Sequence, residues 1–423
     1  MKKYFILAAA VAMFTACTNN DDITQQSPTE NERIPLTIGM ITGNVNVTST
    51  TRSSTITLQD NEAVNQTANT AGMGLYIMKQ GEIYAPEAKV TPDPAVDYDV
   101  FNIQSTSLNN GTPSGTYTQF VKSATSFYYP DVKTQGVDIY IYSPWNTNAP
   151  DCSTNAKGLD QTFALSTSTT QTYDADYYAN DFLWGCIGAG ITATASTNGG
   201  TNTAITAANY KLAKSGTATT GFVTSSGEVI VPLVHLGSKI IVNVKPGTGM
   251  TYDKLTGAKV YFGVDYTGGT LMIRDGAIAT SGAASRSFIE IGHLGYSDNT
   301  PTAIASSDWD VNGTKGVIWD DKNTDGNKDA GEIGGYTCAG VILPQTVATA
   351  AVGDGPLIKI TLSDAATTYI YKPATSPTFS RAKKYVYTIT VNASGIVVTT
   401  SVANWTDDTS SLVNNGVGTA ELE

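Results

Sequence analysis

Twelve consecutive residues, Asp321-Lys322-Asn323-Thr324-Asp325-Gly326-Asn327-Lys328-Asp329-Ala330-Gly331-Glu332, carry the most specific chemical pattern in the chain. A hard cation such as Ca2+ needs six or more oxygens converging from one short segment. The side chains of Asp321, Asn323, Asp325, Asp329 and Glu332 and the carbonyl of Asn327 fall at that spacing, with Gly326 at the sharp turn. Lys328 stands where an aliphatic residue is usual. The flanks Val317-Ile318-Trp319 and Ile333-Gly334-Gly335-Tyr336 read as strands rather than helices. The expectation is a structural Ca2+ in a loop between strands, not a sensor. The competing reading is a polar Asx-turn loop that needs no ion.

Little else points to reactivity. His235 and His293 are the only imidazoles, and His235 sits among apolar strand neighbours as a packing residue. No Gly-x-Ser-x-Gly elbow, His-Glu-x-x-His helix or phosphate-cradling glycine loop occurs. Trp145, Trp184, Trp309, Trp319 and Trp405 could line a sugar platform, but core packing is the ordinary role of such residues. The reading is therefore not an enzyme.

The first seventeen residues address the protein. Lys2 and Lys3 precede an apolar run from Tyr4 to Phe14, followed by Thr15-Ala16-Cys17. This is a secretion signal too short to span a bilayer. Its cysteine makes it similar to a bacterial lipoprotein signal, which implies a covalent lipid on Cys17 and an outer-membrane precursor. Residues 18–33 are a polar tether, with Asn19-Asn20-Asp21-Asp22 close behind the lipid site. Cys152, Cys186 and Cys338 then remain, an odd set that allows at most one internal disulfide and leaves its pairing open.

A chain of 423 residues has room for two cores, and its net charge of −12 argues against a nucleic-acid partner. Charged residues make up only 15%, while Thr, Ser, Gly, Asn and Tyr abound, a mixture suited to strands and turns. In Ile34-Pro35-Leu36-Thr37-Ile38-Gly39-Met40 the apolar residues alternate, which predicts a strand. Ile240, Val242 and Val244 form one face of another strand, opposite Lys239, Ile241 and Asn243. Near the end Tyr385, Tyr387, Ile389 and Val391 share a face, Asn392-Ala393-Ser394-Gly395 turns, and Ile396 to Trp405 returns as a hairpin. The Ala/Thr/Gly/Asn-rich stretch 193–219 reads as a loop or linker. These elements predict an all-β chain of two β-sandwich domains, 34–225 and 226–423, with a C-terminal tail at 406–423.

The order of these segments resembles the fimbrillins, pilin subunits of type V pili from Bacteroidetes. The lipoprotein signal, the Ile34–Met40 strand and Thr50-Thr51-Arg52-Ser53 come first. Val137-Asp138-Ile139-Tyr140-Ile141-Tyr142 and Val234-His235-Leu236-Gly237-Ser238-Lys239-Ile240 follow, and Lys384–Val391 and Ser401-Val402-Ala403-Asn404-Trp405 close the series. The resemblance implies two transthyretin-like β-sandwiches in tandem. It also implies maturation by a trypsin-like protease, which matches a cut between Arg52 and Ser53. Loss of the segment 34–52 would open a groove for a strand from another pilin subunit, in a homo- or heteropolymer.

Arg52 lies in a Thr/Ser-rich stretch of the kind proteases cut, although a solvated loop charge is the plain alternative, and Arg33 is a competing site. The donor candidate is the tail after Trp405, with Leu412, Val413, Val417, Ala420 and Leu422 as its apolar residues, and a tail of this kind suits a shaft subunit. The glycines at 416 and 418 weaken that strand, and a frayed terminus is the alternative. The leading expectation is a structural pilin of a surface fimbria that supports adhesion. The alternative is a monomeric lipoprotein adhesin binding host protein or glycan, and a glycan-processing enzyme ranks last.

Overall fold

The computed structural model describes residues 34, 36, 38–42, 45–50, 53–58, 74–79, 82–83, 102–107, 116–121, 129–130, 136–144, 146, 148–150, 159–172, 179–208, 222–223, 229–282, 284–293, 317–319, 324, 333–349, 355–404 and 413–420. Two large sheets dominate. The first runs in the order Glu82–Ile83, Gly74–Lys79, Gly136–Ser143, Leu183–Ile187, Val229–His235, Ile38–Thr42, Thr116–Val121, Asn102–Ser107. The second runs Thr368–Tyr371, Ile358–Thr361, Lys259–Val264, Ser287–His293, Ile333–Ile342, Ser238–Pro246, Lys383–Asn392, Gly395–Asn404, Val413–Ala420. The all-β expectation holds.

Strand period explains the cores. In the first sheet Leu75, Ile77, Ile139, Ile141, Leu183, Val229, Val231 and Leu233 turn one way into a cluster that also takes Leu36 and Ile38. The alternate residues Tyr76, Tyr140, Tyr142, Trp184 and Cys186 turn the other way into a second cluster. Both faces are covered, so these strands read as nearly unbroken apolar runs. In the second sheet Ile240, Val242 and Val244 pack with Tyr385, Tyr387, Ile389 and Val391. The predicted hairpin is present, with Asn392 opposite Gly395.

The division between halves differs from a cut near residue 225. Val229–His235 belongs to the first sheet and Ser238–Pro246 to the second, so the chain changes sheet at Leu236-Gly237. The stretch expected to be linker holds structure as well. Ala193–Thr197 is a short helix whose first turn is closed by the Thr192 hydroxyl, which accepts from the Ala195 N–H at 3.2 Å.

A third, three-stranded sheet joins the halves. Thr162–Ser166 pairs with Gly268–Met272, which forms a hairpin with Ile278–Thr280. The tip of that hairpin lies against the first sheet, where the Trp184 indole donates from Nε1 to the Ile273 carbonyl at 2.8 Å. Gly276 at the tip has φ +66°, and a Cβ there would strike the Trp184 ring, so the turn and the close approach both require glycine. Asn198 Nδ2 donates to the Asp275 carbonyl at 2.7 Å, and Arg381 reaches the carbonyls of Gly276 and Asn198. Gln171 extends the second sheet by an amide rung. Its Oε1 accepts from Val341 N–H at 2.7 Å, and its Nε2 donates to the Val341 carbonyl at 2.8 Å.

One buried ion pair pins the loops of the second half. Arg286 Nε meets Asp265 Oδ1 at 2.8 Å, and both side chains are almost fully enclosed. The guanidinium also donates to the carbonyls of Gly355, Pro356 and Ala348, while Asp265 Oδ2 accepts from the Ala348 N–H. The pair therefore comes with the extra hydrogen bonds that a buried ion pair needs.

Candidate functional site: the slot of the first strand

Ile38–Thr42 lies between two neighbours. It runs parallel to Val229–His235 over five register pairs, from Ile38 opposite Val229 to Thr42 opposite Leu233. On the other side it meets Thr116–Val121 antiparallel at only two pairs, Gly39 with Gln119 and Met40 with Thr118. Among the described residues its pairing starts at Ile38 rather than Ile34. Leu36 and Ile38 are each 3% exposed, and Ile34 is half-buried against the same cluster. The Ile34 carbonyl accepts from the Tyr129 N–H at 2.9 Å.

The backbone of Val229–His235 is arranged to hold this strand. The Ile230 N–H donates to the Phe222 carbonyl at 2.8 Å, away from the first strand. Successive residues of a strand project their peptide groups to opposite sides. Val229, Val231 and Leu233 therefore aim their N–H and C=O groups at Ile38–Thr42, while Pro232 turns its missing donor to the opposite side. A proline inside this interior strand costs the slot no hydrogen bond.

The expected site residues fall as follows. Cys17, Arg33, Arg52 and Cys152 lie outside the described residues. The strands that flank the expected cut, Val45–Thr50 and Ser53–Leu58, pair antiparallel with Thr50 opposite Ser53. The backbone of Val413–Ala420 runs along the chain's own Gly395–Asn404, while Leu412 and Leu422 lie outside the described residues. In the predicted calcium loop only Thr324 is described, exposed and at φ 60°. Asp321, Asn323, Asp325, Asn327, Asp329 and Glu332 lie outside the described residues. The loop's flanks are strands, as expected, and pair with each other through Val317 and Tyr336. Among the described residues no cluster of His, Cys, Asp and Glu could hold a metal.

Other polar groups serve the fold. His235 is buried, with Nδ1 2.8 Å from Asp181 Oδ1, a partner that its apolar sequence neighbours gave no reason to expect. Cys186 and Cys338 are free, and burial pushes both thiols above the ordinary range. Asp138 faces the cluster of Tyr140 and Cys186, and its carboxylate accepts from the Gly190 N–H at 3.0 Å. Burial raises its pKa, against the opposing pull of that hydrogen bond and of Arg274. Trp184 is a core residue, not a platform.

The family profile described as fimbrillin-like matches residues 51–405. Among solved structures the chain is similar to a candidate cell adhesion protein of Bacteroides uniformis, at 13% identity over 89% of this chain and 99% of the other, with a TM-score of 0.47. A second such protein, from Bacteroides ovatus, is 15% identical over 88% and 99%, with a TM-score of 0.45. The C-terminally truncated tip fimbrial protein Mfa3 of Porphyromonas gingivalis is 10% identical over 87% and 100%, with a TM-score of 0.36. No curated protein matches the chain. A profile that spans most of the sequence decides the matter: the chain belongs to the fimbrillin-like family.

Proposed function

We propose that the chain is a surface fimbrial subunit made as a lipoprotein precursor on Cys17, cut after Arg52, and joined to a neighbour by strand exchange at the slot of the first strand. The observation that carries this reading is the seat of Leu36 and Ile38. They belong to a segment that one cut would detach, yet they fill the core of the first half.

Loss of that segment has a definite cost. Two buried aliphatic side chains contribute roughly 3–6 kcal/mol. The peptide groups of Val229, Val231 and Leu233 lose their partners at about 0.5–1.5 kcal/mol for each hydrogen bond. An opened row of donors and acceptors beside an apolar floor recruits an extended segment. Thr116–Val121 holds at only two pairs, so release must open the five-pair ladder to Val229–His235 and the six-pair ladder of Val45–Thr50 with Ser53–Leu58.

The test is limited proteolysis of the precursor by trypsin. Cleavage after Arg52 should release the leading segment, and the cut product should capture a labelled synthetic copy of residues 33–43. Arg52→Ala should give neither. Capture of the peptide that is equally strong with the Ala variant would refute the reading and leave the monomeric adhesin.

A further inference from the structure

We propose that the opened slot is filled by an extended segment from a different subunit, not by the tail of a second copy of this chain. The segment carries branched aliphatic residues at three alternate positions and runs parallel to Val229–His235. This inference rests on the strand exchange proposed above and specifies its partner.

The present occupant sets the requirement. Ile34, Leu36 and Ile38 fall two residues apart, the first half-buried and the others buried in the cluster of Val229, Val231 and Leu233. The paired stretch that follows keeps continuous register over all five positions. An incoming strand must reproduce three apolar inward side chains without a break in register, because a slip of one residue turns every side chain outward.

The chain's own tail cannot meet that requirement. Within 406–423 no three alternate positions are all branched and aliphatic. Val413-Asn415-Val417 puts an amide at the central place, where Leu36 now sits, and a buried amide without a partner is unfavourable. Gly418-Ala420-Leu422 leaves two of the three places nearly empty.

The same tail is well matched to the edge it occupies. Ala420 stands opposite Ile396, Gly418 opposite Val398 and Gly416 opposite Thr400. Ile396 and Val398 belong to the core, and the residues in register with them, Ala420 and Gly418, are the smallest types. The register shifts between Thr400 and Ser401, where Gly416 and Asn414 are the partners, so Asn415 is the extra residue of a bulge. Both the small residues and the bulge suit Gly395–Asn404 and neither suits the slot.

The test uses precursor cut with trypsin in the presence of one of three synthetic peptides. They copy residues 33–43, residues 409–423, or residues 409–423 with Asn415→Ile. Affinity is read by fluorescence anisotropy of labelled peptide on the large fragment, and occupancy by native mass spectrometry. The first-strand copy and the Asn415→Ile peptide should bind. The unaltered tail copy should bind at least about a hundredfold more weakly, equivalent to roughly 2.8 kcal/mol. Binding of the unaltered tail within tenfold of the first-strand copy would overturn the partner assignment while leaving strand exchange intact. Failure of all three peptides would refute the opened slot itself, and with it both proposals.

Discussion

Replacing Ile38 with alanine puts a measurable value on the seat of the first strand. Ile38 is 3% exposed and packs among Val229, Val231 and the other residues of the first core. Truncation removes three carbons at about 0.8 kcal/mol each. The cavity left behind brings the expected loss to roughly 2–5 kcal/mol. For a folding unit of about 150–250 residues, 1 kcal/mol moves the melting temperature by about 2–4 °C, so the shift should be roughly 4–20 °C.

The informative comparison is between uncut and cut protein, each followed by urea denaturation with tryptophan fluorescence. In the uncut precursor Ile38→Ala should cost the full amount. After trypsin the substituted segment is gone from both proteins, and their curves should agree within about 0.5 kcal/mol, the usual spread for neutral changes. Val397→Ala, at the most exposed large apolar residue among those described, is the control and should change little in either form. A loss below about 0.5 kcal/mol in the precursor would show that Ile38 carries no core weight. An undiminished loss after cleavage would show that the segment is permanent, and the removable-strand argument would fail.

Three further outcomes are expected. Arg286→Ala should destabilise the chain by about 3–5 kcal/mol in urea melts, because it strands the buried Asp265 carboxylate; a loss below 1 kcal/mol would refute that account. Burial raises the pKa of Asp138 in the folded chain, so the folded state holds this proton more tightly than the unfolded one does. Its contribution to stability is therefore complete below the ordinary carboxylate pKa and is lost as pH rises through the raised value. Asp138→Asn should flatten that decline in melts taken from about pH 4 to about pH 7, and an unchanged slope would refute the assignment. A calcium chelator should lower the melting temperature of wild type but not of Asp321→Ala, and superimposable curves for wild type would dispose of the ion.

Much of the architecture was legible because strand period is local. The alternation of Ile240, Val242 and Val244 and of Tyr385 through Val391 marks inward faces without knowledge of any partner. The turn at Asn392–Gly395 and the strands that flank the calcium-type loop were readable for the same reason. Pairing across long separations was not. Nothing near Thr162–Ser166 announces Gly268–Met272 as its neighbour, and Gln171 gives no hint that its amide will serve Val341. The Arg286–Asp265 pair and the His235–Asp181 contact are equally silent, since a lone charge in a strand looks solvated until its partner is known. The passage between the two large sheets is two residues long and lacks any compositional mark, so only the pairing reveals it. Of the slot, the apolar beat of Leu36 and Ile38 was legible. The role of Pro232, which turns its missing donor aside, needed the register.

The interlocked hairpin at Met272–Ile278 has a mechanical consequence. Only Leu236 and Gly237 separate the two large sheets along the chain, and by themselves they would act as a joint. The tip wedged over Trp184, the guanidinium of Arg381 clasping two carbonyls and the shared ladder with Thr162–Ser166 brace that joint from the side. Tension applied at the two ends would then load a splint rather than a thread. A filament of such units would bend where one molecule meets the next, and each molecule would stay stiff along its own length.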